Sequence, residues 1–281
     1  MPLLAIPNIS VGVPGAPLRT ATTAVVDAGA IVLDLHSDET HNRSVLTVTA
    51  AAGPLTDAMV ALAEGCRSID LSTHVGVHPR VGVLDVCPIV PYNTSIDEAI
   101  ATAHGTGRAI AAEVVVPVFF YGAASTREEN RELPDIRRGG LPELRKRMTQ
   151  GFRPDAGPAE IDPRYGVVLV GARGPLIAFN VWLRTGVDVA RSIAGAVREP
   201  GRVRALGLPM PDGGSQVSMN LVAPHEVSIA DVFGRIDNLT DSVTATEIVG
   251  LVEDRFLPDP DAKVTRLLVE PGHSLESALS D

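Results

Sequence analysis

The chain has 281 residues, enough to bury one large core or two smaller ones. Its formal charge of −10 speaks against a general nucleic-acid or anionic-membrane surface, because both need net basic patches. Two cysteines, Cys66 and Cys87, with no C-x-x-C pair exclude a disulfide-dense scaffold. The start lacks a basic n-region, and no apolar stretch reaches the ~20 residues of a membrane helix, so the cytoplasm is the expected address. Aromatic residues are only 4% of the chain, which leaves Ala, Val and Leu to fill most of the core.

Taken in order, Leu3–Ile6 reads as a short strand that Pro7 and Asn8 end. Leu18–Ala28 reads as a helix closed by Gly29, and Ala30–Leu35 as a buried strand. The polar run HSDETHNR then makes a loop, Ser44–Ala50 a strand, and Leu55–Ser68 a helix with apolar residues at Leu55, Met59, Val60 and Leu62. A loop rich in His, Gly and Arg leads into a strand at Val83–Val90. Ser95 with Glu98 three residues on has the spacing of a capping box, opening a helix that reaches Glu113. Val114–Tyr121 is a strand, and Ser125–Gln150 is charged and helical in pieces. Pro154, Pro158 and Pro163 forbid regular structure across Gly151–Tyr165, which is the best linker in the chain.

The second half has strands at Gly166–Gly171 and Leu176–Leu183, a helix at Val187–Val197, and strands at Val203–Pro209 and Gln216–Val222. A second capped helix opens at Ser228 with Asp231 as partner, followed by a strand at Glu247–Val252. The Pro- and Asp-rich tail from Pro258 is expected to be loosely held apart from Val264–Val269. Strands and helices mix throughout, with strand–strand neighbours in each half. That implies an α+β fold of two sandwiches, residues 1–164 and 165–281, each a mixed sheet with helices on its outer face. Eightfold strand–helix alternation, the mark of a TIM barrel, is absent from the pattern.

Phosphate loops fail on inspection: there is no G-x-x-x-x-G-K-[ST], and Gly105-Thr106-Gly107 lies inside a helical pattern. Asp34, His36 and Asp38 alternate along a strand end and share a face, with His41 beyond; the bland reading is a solvated loop, the sharp one a metal site. His74 and His78 have i, i+4 spacing, but Gly76 between them and Pro79 after them oppose a helical zinc pair. His78 suits proton transfer better, as a loop histidine beside a buried strand that Asp85 or Asp34 could orient. Arg43 and Arg80 are candidate carboxylate-binding groups, since guanidinium meets carboxylate bidentately. Asn42-Arg43 and Phe179-Asn180 are polar pairs at strand edges, and Arg145, Lys146 and Arg147 read as a solvated helix face.

Eight runs, VLDLHSDETHNRSVLT, IDLSTHVGVHPRVGVLDVCPIVP, VPVFFYGAA, LPDIRRG, RPDAGP, GARGPLIAFNVWL, QVSMNL and EIVGLV, occur together between Pro7 and Val252. In order and spacing they resemble glutamate formimidoyltransferase, the folate-dependent enzyme of histidine breakdown. The resemblance implies a ligand groove between the two sandwiches, and transfer of a formimino group from N-formimino-L-glutamate to tetrahydrofolate as co-substrate, with no metal. It places the catalytic acid–base at His78 and folate binding at Gly157, Pro158, Ala159, Glu160, Ile161, Asp162, Pro163, Arg164, Tyr165 and Gly166. Substrate contacts are expected from Asp34, Asn42, Arg43, His74, Arg80 and Asn180. Partners are small molecules, without nucleic acid or membrane, and the reading admits a homodimer. The chain departs from the family at Val11, where an acidic residue is usual, at Phe152 and Ala156 in the P-D-F-G-P region, and at Ala245. The alternatives are formyl transfer between 5-formyltetrahydrofolate and glutamate or another amino-acid donor, a metal-dependent hydrolase built on Asp34, His36, Asp38 and His74, and a folate-binding protein without catalysis.

Overall fold

A computed structural model describes residues 3–76, 79–271 and 273–280. The chain forms two compact units, Met1–Arg173 and Gly174–Asp281.

In the first unit the elements run β1 (Leu3–Ala5), β2 (Asn8–Ile9), α1 (Ala16–Asp27), β3 (Ile31–Asp38), β4 (Arg43–Ala50) and α2 (Ala52–Gly65). They continue with β5 (Leu84–Pro91), α3 (Ile96–Glu113), β6 (Val118–Gly122), α4 (Leu133–Arg137), α5 (Gly140–Thr149) and β7 (Val168–Ala172). One seven-stranded sheet results. β3 pairs β4, the short strands β1 and β2 sit end to end between β4 and β5, and β7 lies parallel between β5 and β6. Leu55, Ala58, Met59 and Leu62 fall on one side of α2 at helical spacing. With Leu18, Ala21 and Val25 of α1 and Ala99, Ala103 and Ile110 of α3 they cover one sheet face. Over β5, β7 and β6 the other face is also covered, by Ile136 and Leu144 of α4 and α5 against Phe119, Tyr121 and Leu169. Helices thus lie on both faces at the parallel end of this sheet, where crossover connections put them.

Three local expectations change. Ala30–Leu35 is not a buried strand: β3 is the sheet edge, and Ile31 and Leu35 are 61% and 41% exposed. The strands reach further into HSDETHNR than its polarity suggests, so the connecting turn is only residues 39–42. Ser95 Oγ does accept from the Glu98 backbone N–H at 3.2 Å, but the Glu98 carboxylate bonds the Thr94 hydroxyl, so the reciprocal half of the box is missing. The junction expected after residue 164 is also displaced. Val168–Ala172 completes the first sheet, and the compact units divide between Arg173 and Gly174. A short strand buried on both faces reads the same whichever sheet receives it.

The second unit runs β8 (Ile177–Leu183), α6 (Val187–Val197), β9 (Val203–Pro209), β10 (Ser215–Leu221), α7 (Ile229–Asp237) and β11 (Val243–Val249). Its sheet order is β11-β8-β10-β9, antiparallel throughout. That is the split β-α-β-β-α-β arrangement of ferredoxin-like units. Both helices pack on one face, through Ala190, Ile193, Ala194 and Val197 of α6 and Ile229, Val232, Phe233 and Ile236 of α7. The capping box at Ser228 is complete: Asp231 N–H donates to Ser228 Oγ at 3.1 Å and Ser228 N–H to Asp231 Oδ2 at 2.9 Å. β12 (Leu251–Val252), α8 (Lys263–Arg266), β13 (His273–Ser274) and α9 (Leu275–Ser280) complete the unit. The tail is not loose. β12 pairs β13, Val264 is buried in the second core, and the Thr246 hydroxyl donates to the Val264 carbonyl at 2.9 Å.

Helix α3 supplies a paired test of packing. A methyl on Gly105 would meet nothing within 4 Å, whereas one on Gly107 would lie 2.3 Å from the Phe120 ring. Gly105→Ala should therefore stabilise by about 0.5–1 kcal/mol through helix propensity. Gly107→Ala should destabilise by about 1–3 kcal/mol through overpacking. Urea midpoints of the two variants read both signs.

Candidate functional site

The first sheet turns a polar face away from α1–α3. Asp34 stands opposite Thr47, His36 opposite Val45 and Asp38 opposite Arg43, so the expected alternation holds. Asn8 joins them opposite Val45 and Val86. In the turn after β3, Asp38 Oδ1 accepts from the His41 N–H at 2.8 Å, and His41 is buried, not a solvated loop residue. Among the described residues, no group of three or more His, Cys, Asp or Glu side chains is placed to hold a metal ion.

Asp85 is the buried centre of this face. Its Oδ1 accepts from the Val81 N–H at 2.8 Å; its Oδ2 takes the Arg137 guanidinium and lies 3.5 Å from Arg43 Nη1. Arg43 Nε donates to Asn8 Oδ1 at 2.8 Å. The charges acting on Arg43 are Asp85, which raises its pKa, against Arg137 and Arg80, which lower it; burial is the largest effect, and the result is about 9. Burial also lowers the Arg80 pKa; Asp85 raises it and Arg137 lowers it further. Arg43 and Arg137 thus meet on one carboxylate, and the nearby Arg80 charge is felt at Arg43.

The loop between α2 and β5 is fastened to this face. Arg80 donates to the Asn42 carbonyl at 2.9 Å and to the His41 carbonyl at 2.7 Å. The Asn42 side chain accepts from Gly12 N–H at 2.9 Å and donates to the Val75 carbonyl at 2.8 Å. Gly76 has to be glycine, since a Cβ there would lie 2.5 Å from Arg80 Nη2 and 2.6 Å from the His41 carbonyl. The His74 ring nitrogens lie 2.9 Å from Arg80 Nη1. Burial first, then the Arg80 charge, pushes the His74 pKa below its ordinary value, and a guanidinium donor needs an unprotonated ring nitrogen. His78 lies outside the described residues.

Gly157 to Gly166 runs against the same loop. The Leu71 N–H donates to the Arg164 carbonyl at 2.8 Å, Val83 N–H to the Tyr165 carbonyl at 2.8 Å, and Arg164 Nε lies 3.1 Å from Asp70 Oδ2. Backbones cross closely at Gly82 and Gly166, where a Cβ would lie 1.9 Å from the Val167 carbonyl and 2.1 Å from the Val81 carbonyl respectively. The Tyr165 hydroxyl donates to the Ala63 carbonyl at 2.8 Å, while Gly157, Ala159, Glu160, Asp162, Pro163 and Arg164 stay exposed. The segment is pinned by its last residues and open along the rest.

Asn42, Arg43, His74, Arg80 and the 157–166 segment therefore come together in the first unit. Asn180 does not join them there; it is in the second unit and donates Nδ2 to Glu247 Oε2 at 2.7 Å. Asn8 and Arg137 escaped the sequence reading, although Arg137 sits in the LPDIRRG run quoted above; an arginine in a charged, broken-helix stretch gives no sign of a partner 52 residues away. Arg147 is not part of a solvated face: it donates to the Asp135 carbonyl at 3.1 Å and covers the Phe152 ring. Phe152 itself stacks on Phe119 with ring centroids 5.1 Å apart, so this departure from the family pattern is a packing residue.

Asp85→Ala leaves Arg43 and Arg137 buried without their carboxylate and should cost about 3–5 kcal/mol in urea unfolding. In an NMR titration, His74 should show a midpoint below the ordinary ~6.5. The folded state then binds this proton less tightly than the unfolded state. Stability should fall as pH drops from that ordinary value to the lowered midpoint, and Arg80→Met should raise the midpoint.

A model of the formiminotransferase domain, N-terminal subdomain, matches residues 3–173. A glutamate formimidoyltransferase of Streptococcus pyogenes serotype M1 is 35% identical over 270 residues, spanning 90% of each chain. One of Thermoplasma acidophilum is 30% identical over 270 residues, spanning 90% of this chain and 89% of that one. A formimidoyltransferase-cyclodeaminase of Dictyostelium discoideum is 34% identical over 266 residues, 88% of this chain but 50% of that longer protein. The matched N-terminal subdomain coincides with the unit that carries Asp85, its arginines and the 157–166 segment, and the chain belongs to the formiminotransferase family.

Proposed function

We propose that this protein transfers the formimino group of N-formimino-L-glutamate to N5 of tetrahydrofolate, giving 5-formiminotetrahydrofolate and glutamate. The observation that carries this reading is the pairing of Arg43 and Arg137 with the single carboxylate of Asp85, with Arg80 close enough to act on Arg43, beside the loop that holds His74. A glutamate-derived donor brings two carboxylates. Surplus guanidinium charge in a buried place draws and orients such a dianion far better than surface arginines would. The arrangement also divides the roles. Arg80 and Asn42 spend their hydrogen bonds on the loop backbone, so they position it. Arg43 and Arg137 are the groups assigned to a substrate carboxylate, with Asp34 and Asn180 as further contacts. Residues 174–281 form the C-terminal formiminotransferase subdomain in this reading.

In the reaction the N5 lone pair attacks the amidine carbon, N5 loses a proton, and the glutamate nitrogen leaves after gaining one. His78 is the group assigned to carry that proton. Burial and then the Arg80 charge make His74 a weaker base than an ordinary imidazole, so the proton role is not assigned to it. The tetrahydrofolate segment is residues 157–166, whose exposed run Gly157–Glu160 and Asp162–Arg164 leaves backbone and side chains open to a ligand while Tyr165 and Gly166 anchor it. A homodimer and a cytoplasmic address belong to the same proposal; among the described residues no helix is long and apolar enough to cross a membrane.

The test is turnover of N-formiminoglutamate with tetrahydrofolate, run beside 5-formyltetrahydrofolate with glutamate. The wild type should be faster with the first pair, and His78→Ala should keep its fold and tetrahydrofolate affinity while losing about 10²–10⁴-fold in kcat. Full activity in His78→Ala would remove the proton role; activity confined to the formyl pair would replace the donor.

A further inference from the structure

Residues of β10 alternate between two environments. Val217, Met219 and Leu221 enter the core under α6 and α7. Gln216, Ser218 and Asn220 point to the face of the second sheet opposite α6 and α7. On that face Gln216 stands between Trp182 of β8 and Leu208 of β9, its direct cross-strand neighbours. Its side chain is 0% exposed, yet neither Oε1 nor Nε2 has a hydrogen-bond partner among the described residues. One carboxamide carries an acceptor oxygen and two N–H donors, and burying all of them unpaired is costly. Elsewhere on the face the chain avoids that cost. Asn180, opposite Ser218, gives its amide to Glu247 at 2.7 Å. Only the Gln216 amide is left without such a partner of the two, and its flanks are apolar.

We propose that Gln216 is a substrate-recognition residue whose carboxamide pairs with a planar edge presenting an N–H donor beside an acceptor atom. Two opposed hydrogen bonds then form, one donated by Nε2 and one accepted by Oε1, which neither a hydroxyl nor a charged side chain reproduces. The inference rests on the reading under Proposed function, where one substrate offers such an edge, the lactam N–H and C=O of the pterin ring; the formimino amidine, a cation at neutral pH, presents only N–H donors. Trp182 and Leu208 on either side favour the flat pterin.

Gln216→Met keeps the length of the side chain and removes the amide. Because no chain partner is lost, the ligand-free variant should melt at the wild-type temperature or above it. In steady-state assays the KM for tetrahydrofolate should rise about tenfold or more, with the KM for N-formiminoglutamate unchanged. Calorimetric titration of tetrahydrofolate should show the same loss in Kd. A rise in the KM for N-formiminoglutamate alone would overturn the pairing with the pterin. Unchanged constants for both substrates would overturn the proposal, as would a lowered melting temperature with unchanged constants, which marks an amide bonded within the protein. If wild-type protein neither binds tetrahydrofolate nor turns over the pair, the reading of the function fails; if it does both and Gln216→Met matches it, only the role of Gln216 fails.

Discussion

Asp85 is the constraint on which the first unit depends. Its two oxygens take the backbone N–H of Val81, the guanidinium of Arg137 on α4 and that of Arg43 on β4, while Arg43 reaches on to Asn8 of β2. Four segments far apart in the chain are thereby set at fixed distances around one carboxylate. Buried ion groups of this kind give little net stability, because desolvation consumes most of the attraction. What they give is geometry.

The loop of residues 70–83 inherits its position from that centre. Val81 is held by Asp85, Arg80 by two carbonyls of the β3–β4 turn, and the backbone at Gly82 passes so close to Gly166 that no side chain fits at either. The same crossing ties the 157–166 segment to the loop, so the stretch assigned to the proton carrier and the stretch assigned to folate are built as one piece. His74 illustrates how position decides chemistry. A loop histidine in water would titrate near neutrality, but here burial and then the Arg80 charge lower its basicity.

The second unit is simpler, with two helices on one face of an antiparallel sheet and a polar set of Asn180, Gln216, Glu247 and Ser218 on the other. On that face the Asn180 amide is bonded to Glu247, while the buried Gln216 amide has no hydrogen-bond partner among the described residues. Departures from the family pattern occur in both units. Phe152 stacks into the core against Phe119, Ala156 bridges to Val118 beside β6, and Ala245 pairs with Trp182 at a β-bulge, so these positions serve packing and pairing.

Elements whose signal is local were legible in the residues themselves. The helix at Val187–Val197, the strand at Val203–Pro209 and the capping box of Ser228 with Asp231 follow from periodicity and from contacts three residues apart. Family motifs marked the loop of His74 and Arg80 and the 157–166 segment because such runs keep their order along the chain. The sequence could not say which strands would be edges. Ala30–Leu35 is as apolar as a central strand, but only one neighbour pairs with it. Nor could it assign Val168–Ala172 to the first sheet, find Arg137 as the partner of Asp85, or reveal that Gln216 is buried with its amide unpaired. Each of these is a relation between residues tens of positions apart, and a side chain's partners, burial and charge state exist only once the tertiary fold has brought those positions together.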